Sequence, residues 1–138
     1  MDPYCYRCPF KLSYPSCETH CSDHVREVVE LEGPETIAAI LMEPITGTNG
    51  VFVPPSDYYR GIRELCDRHG ILLIVDEVMT GFGRTGKWFA IEHYGVEPDI
   101  LACAKGITSA YVPMGAVVVK RALADRLDTL VLDNGLTY

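Results

Sequence analysis

Two apolar runs stand out along the chain. One spans Ile37 to Ile45 and is bounded by Pro44 and Gly47. The other, Ile71 to Val78, is rich in branched residues and broken only by Asp76 and Glu77. Apolar runs without alternation suit strands buried on both faces. Between them, Pro54-Pro55 interrupts the chain, and Ser56 is placed to cap a helix with Tyr58, Ile62, Leu65, Cys66 and His69 on one face. Gly70 stands where a helix closes in the left-handed conformation. Strand, helix and strand with short joints make a βαβ unit, and such units give parallel sheets.

The pattern continues downstream. A glycine-rich loop, Gly81 to Gly86, leads to a helix expected near Trp88 to Tyr94. Asp99 to Ala104 and Gly115 to Lys120 read as a third and a fourth strand, followed by a helix from Arg121 to Leu127. Upstream, Ser22 is placed to cap a short helix carrying Val25, Val28 and Val29, which Gly33-Pro34 ends. Residues 1–21 show no period and read as an irregular Cys/Pro-rich loop segment. Residues 22–138 read as one α/β unit.

Composition excludes several classes. Hydrophobic residues make up 48% and charged ones 22%, as in ordinary globular domains. The net charge of −7, with no basic stripe, argues against nucleic acid as a partner. The uninterrupted apolar stretch Ile71 to Val75 is far shorter than the roughly 20 residues of a membrane span. The first thirty residues lack the basic start and apolar run of a signal peptide. A cytoplasmic setting with mostly reduced cysteines is therefore expected. Met1-Asp2-Pro3 runs straight into the Cys/Pro-rich segment, and Tyr138 follows a turn-like Asp133-Asn134-Gly135. A central fragment of a longer protein is the expectation.

Candidate chemistry gathers at the strand ends. Ligands of open α/β sheets bind beyond the carboxyl ends of the strands, where Asp76, Glu77 and Lys105 fall. Alternation puts Asp76 and Val78 on one face and Glu77 on the other. A carboxylate beside a branched apolar side chain suits a flat, cationic heteroaromatic ring; it suits equally a cap on the following turn. Lys105, between Ala104 and Gly106, has small neighbours. A poorly solvated amine there suits Schiff-base chemistry, while a lysine snorkelling from a strand end fits the same pattern. Glu43 either reaches the same edge or bonds to a loop backbone.

Two other motifs compete. Gly81-Phe82-Gly83-Arg84-Thr85-Gly86 matches the G-x-G-x-x-G dinucleotide fingerprint. However, Asp76 and Glu77 would repel a pyrophosphate, and Asp99 opens a strand where the fingerprint acid follows one. Cys5, Cys8, Cys17 and Cys21, with His20 and His24, are spaced as candidate zinc ligands. A small zinc-binding module is thus the alternative to an enzyme.

Four blocks occur in order: Leu41-Met42-Glu43-Pro44-Ile45 with Gly47 and Gly50; Val75-Asp76-Glu77-Val78-Met79-Thr80 with Gly81 to Gly86; Ala104-Lys105-Gly106; and Tyr111-Val112-Pro113-Met114-Gly115-Ala116. Together they resemble the class III aminotransferases over nearly the whole chain. The opening Tyr4-Cys5-Tyr6-Arg7-Cys8-Pro9-Phe10 is similar to a loop of the omega-amino-acid:pyruvate and taurine:pyruvate branch, which weighs against zinc. The resemblance implies a fold type I, pyridoxal 5'-phosphate-dependent transferase, with residues 22–138 as part of its large domain and a mostly parallel sheet flanked by helices. It implies Lys105 as the lysine that bonds to the cofactor and later moves a proton. Asp76 would keep the pyridine nitrogen protonated, Val78 would pack on the ring, and Thr137 would reach the phosphate of the neighbouring subunit's cofactor.

The implied protein is a homodimer acting on an amine and a keto acid such as pyruvate. Departures from the family pattern are Asn134-Gly135 where His-Gly is usual, Thr48 in place of a second glutamate, and Met79 where glutamine is frequent. The family's phosphate cup falls before Met1, and its small domain falls beyond Tyr138.

Overall fold

The computed structural model describes residues 3–127. Its elements run α1 (His20–Glu32), β1 (Ala39–Met42), α2 (Tyr58–His69), β2 (Leu72–Asp76), β3 (Ile100–Ala104), β4 (Gly115–Val119) and α3 (Arg121–Leu127). The sheet order is β1-β2-β3-β4. β1, β2 and β3 are parallel, with Met42 beside Val75 and Asp76 beside Ala102; β4 returns antiparallel to β3.

The βαβ expectation holds in detail. Tyr58, Ile62, Leu65 and Cys66 of α2 are buried with Leu73 and Val75 of β2, and Gly70 closes α2 at φ 68°. Tyr59, which the helical spacing did not select, is buried too. Val29 of α1 joins this core and Val25 packs against it, whereas Val28 is exposed. The two helices cross where α2 carries a glycine: a Cβ on Gly61 would stand 2.9 Å from the Ser22 oxygen.

Several expectations need correction. Among the described residues, β2 and β3 are buried on one face only. α1 and α2 cover the side carrying Leu73, Val75, Leu101 and Cys103, and β2 and β3 alternate strictly between buried and half-buried. Leu41 of β1 is 66% exposed, and on β4 Val117 and Val118 are both exposed. Among the described residues no element covers the second face. The helix caps also shift. α1 starts at His20, and Ser22 lies in its first turn, where its hydroxyl donates to the Thr19 carbonyl. α2 starts at Tyr58, because the turn after Pro54-Pro55 already gives the Tyr58 N–H the Pro55 carbonyl. Ser56 instead meets the Tyr14 hydroxyl. The helix expected near Trp88 is a 3₁₀ turn, Ala90–Tyr94.

The amino ends of the strands are tied by Asp99. Its Oδ2 accepts the Arg63 guanidinium and the Leu73 N–H, both at 2.8 Å, and its Oδ1 accepts Lys120 Nζ at 3.0 Å. Burial opposes ionisation of this carboxyl, but the Leu73 N–H, Arg63 and Lys120 outweigh it and hold its pKa below the usual carboxylate range. A depressed folded-state pKa stabilises the protein above the unfolded value, and the stability is lost as pH falls through the folded one. Asp99→Asn should lower stability at neutral pH by on the order of 2 kcal/mol. Urea titrations followed by circular dichroism at several pH values should show that deficit closing as the medium is acidified through the carboxylate range.

Candidate active site

Asp76 and Lys105 lie at the carboxyl ends of adjacent parallel strands. Asp76 pairs with Ala102, and the Glu77 N–H donates to the Ala102 carbonyl at 2.8 Å. Asp76 is half-buried and sits, with Ile74, on the sheet face away from α2. Its Oδ1 accepts the Val78 N–H at 2.8 Å, so it does cap the following turn. No described residue bonds Oδ2. Val78 is half-buried in that turn. The Glu43 carboxylate accepts the Gly47 N–H at 2.9 Å, which realises the loop-backbone reading. Thr137 lies outside the described residues.

Strict alternation would send Lys105 to the α2 side with Cys103. The chain avoids this by leaving the strand there: Lys105 has φ 47° and opens a 3₁₀ turn, Lys105–Thr108. Its side chain lines an open cleft of about 690 Å³ with Phe82, Arg84, Gly106, Ser109 and Ala110. The amine is exposed and has no hydrogen bond or ion pair with a described residue. The expectation of a poorly solvated amine is therefore corrected for this chain, since nothing described covers the cleft. Asp76 is not among the side chains that line it. Phe82, Ser109 and Ala110 also have positive φ. Non-glycine residues in left-handed backbone persist where the surrounding structure over-determines them, and they cluster at active sites and ligand clamps.

The wall opposite Lys105 is set by Glu77, whose importance the sequence reading missed. Glu77 is completely buried. Its carboxylate accepts the Ala90 N–H at 3.0 Å, the Ile91 N–H at 2.8 Å and the Thr80 hydroxyl. Its own carbonyl accepts the Gly81 N–H. The signal was present: alternation aims Glu77 into the core, and a buried carboxylate must find donors. Gly106 then meets this wall. A Cβ there would stand 2.9 Å from Phe82 Cβ and 3.3 Å from the Gly81 carbonyl, so only glycine permits the contact.

Among the described residues neither competing motif has the arrangement its chemistry needs. The glycine loop does not open a helix with free N–H groups, because the first donors of the 3₁₀ turn, Ala90 and Ile91, are taken by Glu77. That leaves no seat there for a pyrophosphate. Cys5, Cys8, Cys17, Cys21 and His20 do line one pocket, and burial followed by neighbouring thiols pushes the Cys5 thiol pKa up. The four cysteines are free thiols, and the His20 and His24 rings pack on Phe10. Among the described residues no group of three or more candidate ligands is arranged to hold a metal ion.

The family model for class-III aminotransferases matches residues 3–138. The chain is 46% identical to a leucine/methionine racemase of Thermococcus litoralis, over 93% of this chain and 29% of that protein. It is 42% identical to a taurine–pyruvate aminotransferase of Bilophila wadsworthia, over 80% and 27%. The structure of an amine transaminase from an uncultivated Pseudomonas species, in a PLP-bound form, superposes with a TM-score of 0.89 at 45% identity, covering 99% of this chain and 32% of that one. The chain therefore belongs to the class III aminotransferase family, and its sheet and helices form part of the fold type I large domain. It spans under a third of the length of these relatives.

Glu77→Ala should cost about 3 kcal/mol by leaving buried donors unpaired. Amide hydrogen exchange should accelerate at Gly81, Ala90 and Ile91, while Glu77→Gln, which keeps one acceptor, should show a smaller effect.

Proposed function

We propose that this chain carries the cofactor-bearing segment of a pyridoxal-phosphate-dependent transaminase. The observation behind this reading is Lys105: an unpaired amine held in a left-handed turn at a strand end, one strand from an aspartate with a free carboxylate oxygen. The residues suit the cofactor. Asp76 Oδ2 is available to accept a ring N–H, Val78 adjoins it, and the Lys105 amine has no competing partner. When bound, pyridoxal 5'-phosphate supplies an electron sink.

The chain's own groups do the rest. Lys105 would hold the cofactor's carbonyl carbon through its nitrogen, the carbonyl oxygen leaving as water, and would be released when a donor amine takes its place. The freed Lys105 amine then accepts a proton from the donor's α-carbon and returns it to a neighbouring carbon. The Asp76 carboxylate keeps a ring nitrogen protonated throughout, because the protonated form is the one it pairs with.

In this reading the substrates are an amine or omega-amino acid and a keto acid such as pyruvate. The protein works as a homodimer in the cytoplasm, with no nucleic acid or membrane involved, and Thr137 serves the neighbouring subunit's phosphate. The domain division expected at residue 21 moves, in this reading, to the start of α1 at His20, with a loop segment ahead of it and a partial large domain from there on. No helix of the described residues is long and apolar enough to cross a membrane. The likeness to a racemase supports a second reading, in which the same residues return the proton to the α-carbon's opposite face and the nitrogen stays in place.

Pyridoxal 5'-phosphate added to the protein should produce a visible absorbance band that Lys105→Ala removes; a band surviving that substitution refutes the assignment. With an amine and pyruvate, alanine formation favours the transaminase, whereas inversion of an amino acid without keto-acid consumption favours the racemase.

A further inference from the structure

The protein carries a formal charge of −7, yet the Lys105 cleft is lined by two cations, Lys105 and Arg84, and by no carboxylate. Arg84 is exposed and makes no hydrogen bond or ion pair with a described residue. Its backbone, in contrast, is pinned on both sides. Gly83 and Gly86 close a turn around it through the Gly86 N–H to Gly83 carbonyl bond at 3.1 Å. The next carbonyl, that of Thr85, lies 3.0 Å from His93 Nε2. Behind the turn, Phe82 packs edge-on against Phe89, and the Phe82 N–H donates to the Trp88 carbonyl at 2.7 Å. A fixed backbone therefore presents an unused guanidinium to the cleft that holds the reactive amine. Guanidinium is a planar donor matched to carboxylate, sulfonate and phosphate.

We propose that Arg84 is an oxyanion anchor of this cleft, holding the acid group of the carbonyl compound that condenses with Lys105. This rests on the reading of Lys105 above and adds a selectivity to it. The condensation balances without an oxidant: the Lys105 nitrogen bonds to the carbonyl carbon and the carbonyl oxygen leaves as water. Arg84 raises the local concentration of acidic carbonyl compounds and orients them toward that nitrogen. Neutral aldehydes gain nothing from it. The acid group can be the phosphate of the cofactor or the carboxylate of a small keto acid, and the experiment separates the two.

The protein is incubated with four probes in two pairs, pyridoxal 5'-phosphate with pyridoxal and glyoxylate with acetaldehyde. Cyanoborohydride delivers hydride to the condensed carbon and fixes each adduct, and peptide mass spectrometry compares Lys105 with Lys87 and Lys120. Arg84→Gln should lower Lys105 labelling by the acidic member of one pair about fivefold, the size of an exposed ion pair. The neutral member should be unchanged, and Arg84→Lys should recover part of the loss. Response of the pyridoxal pair assigns the anchor to the cofactor phosphate; response of the glyoxylate pair assigns it to the substrate acid. The proposal is overturned if no acidic probe is affected, or if acidic and neutral probes fall together. Wild-type Lys105 reacting no faster than Lys87 with every probe overturns the Lys105 reading itself, and the anchor with it.

Discussion

Glu77 is the residue on which the rest of the site depends. A carboxylate taken wholly out of water must be met by donors, and here three converge on it: two backbone N–H groups of the 3₁₀ turn Ala90–Tyr94 and the Thr80 hydroxyl. Those bonds draw a distant stretch of chain back against the end of β2. Everything between, including the glycine loop and Arg84, is thereby folded into a wall. Neutralising those N–H groups also removes the anion seat that a dinucleotide-type motif would need. One ion thus both builds the cleft and decides what the glycine loop cannot do.

Opposite that wall, Lys105 is presented by backbone conformation. Continuing β3 by one residue would have turned its side chain toward α2. The left-handed turn at Lys105 redirects it, and Gly106 lets the turn sit against Phe82 and the Gly81 carbonyl. The left-handed conformations at Lys105, Phe82, Ser109 and Ala110 lie in turns tied by backbone bonds, among them Ser109 N–H to the Gly106 carbonyl and Phe82 N–H to the Trp88 carbonyl. The folded sheet pins the strand end while the amine itself stays free, as condensation with a carbonyl requires.

The sheet is asymmetric. Its α2 side is packed with Tyr58, Tyr59, Ile62, Leu73 and Val75, and its other side carries Leu41, Ile74 and Asp76 with no cover among the described residues. The chain spans under a third of its relatives' length. Apolar residues stand on both faces of these strands, so the runs from Ile37 and Ile71 lack the alternation of a one-sided sheet, although among the described residues only the α2 side is covered.

Much of this was legible in the residues. Apolar run lengths, the Pro54-Pro55 break and Gly70 are local signals, so β1, α2 and β2 could be read with their order and parallel pairing. The Asp76 and Lys105 positions followed from strand ends, and the ordered motif blocks pointed to the family. What the tertiary structure alone decided were relations between distant residues. These include the antiparallel return of β4, the Ser22–Gly61 contact at the crossing of α1 and α2, the capture of Ala90 and Ile91 by Glu77, and the cleft that Arg84 and Lys105 both line. A side chain's solvation and partners are set by segments far away in sequence, and no local periodicity carries that information.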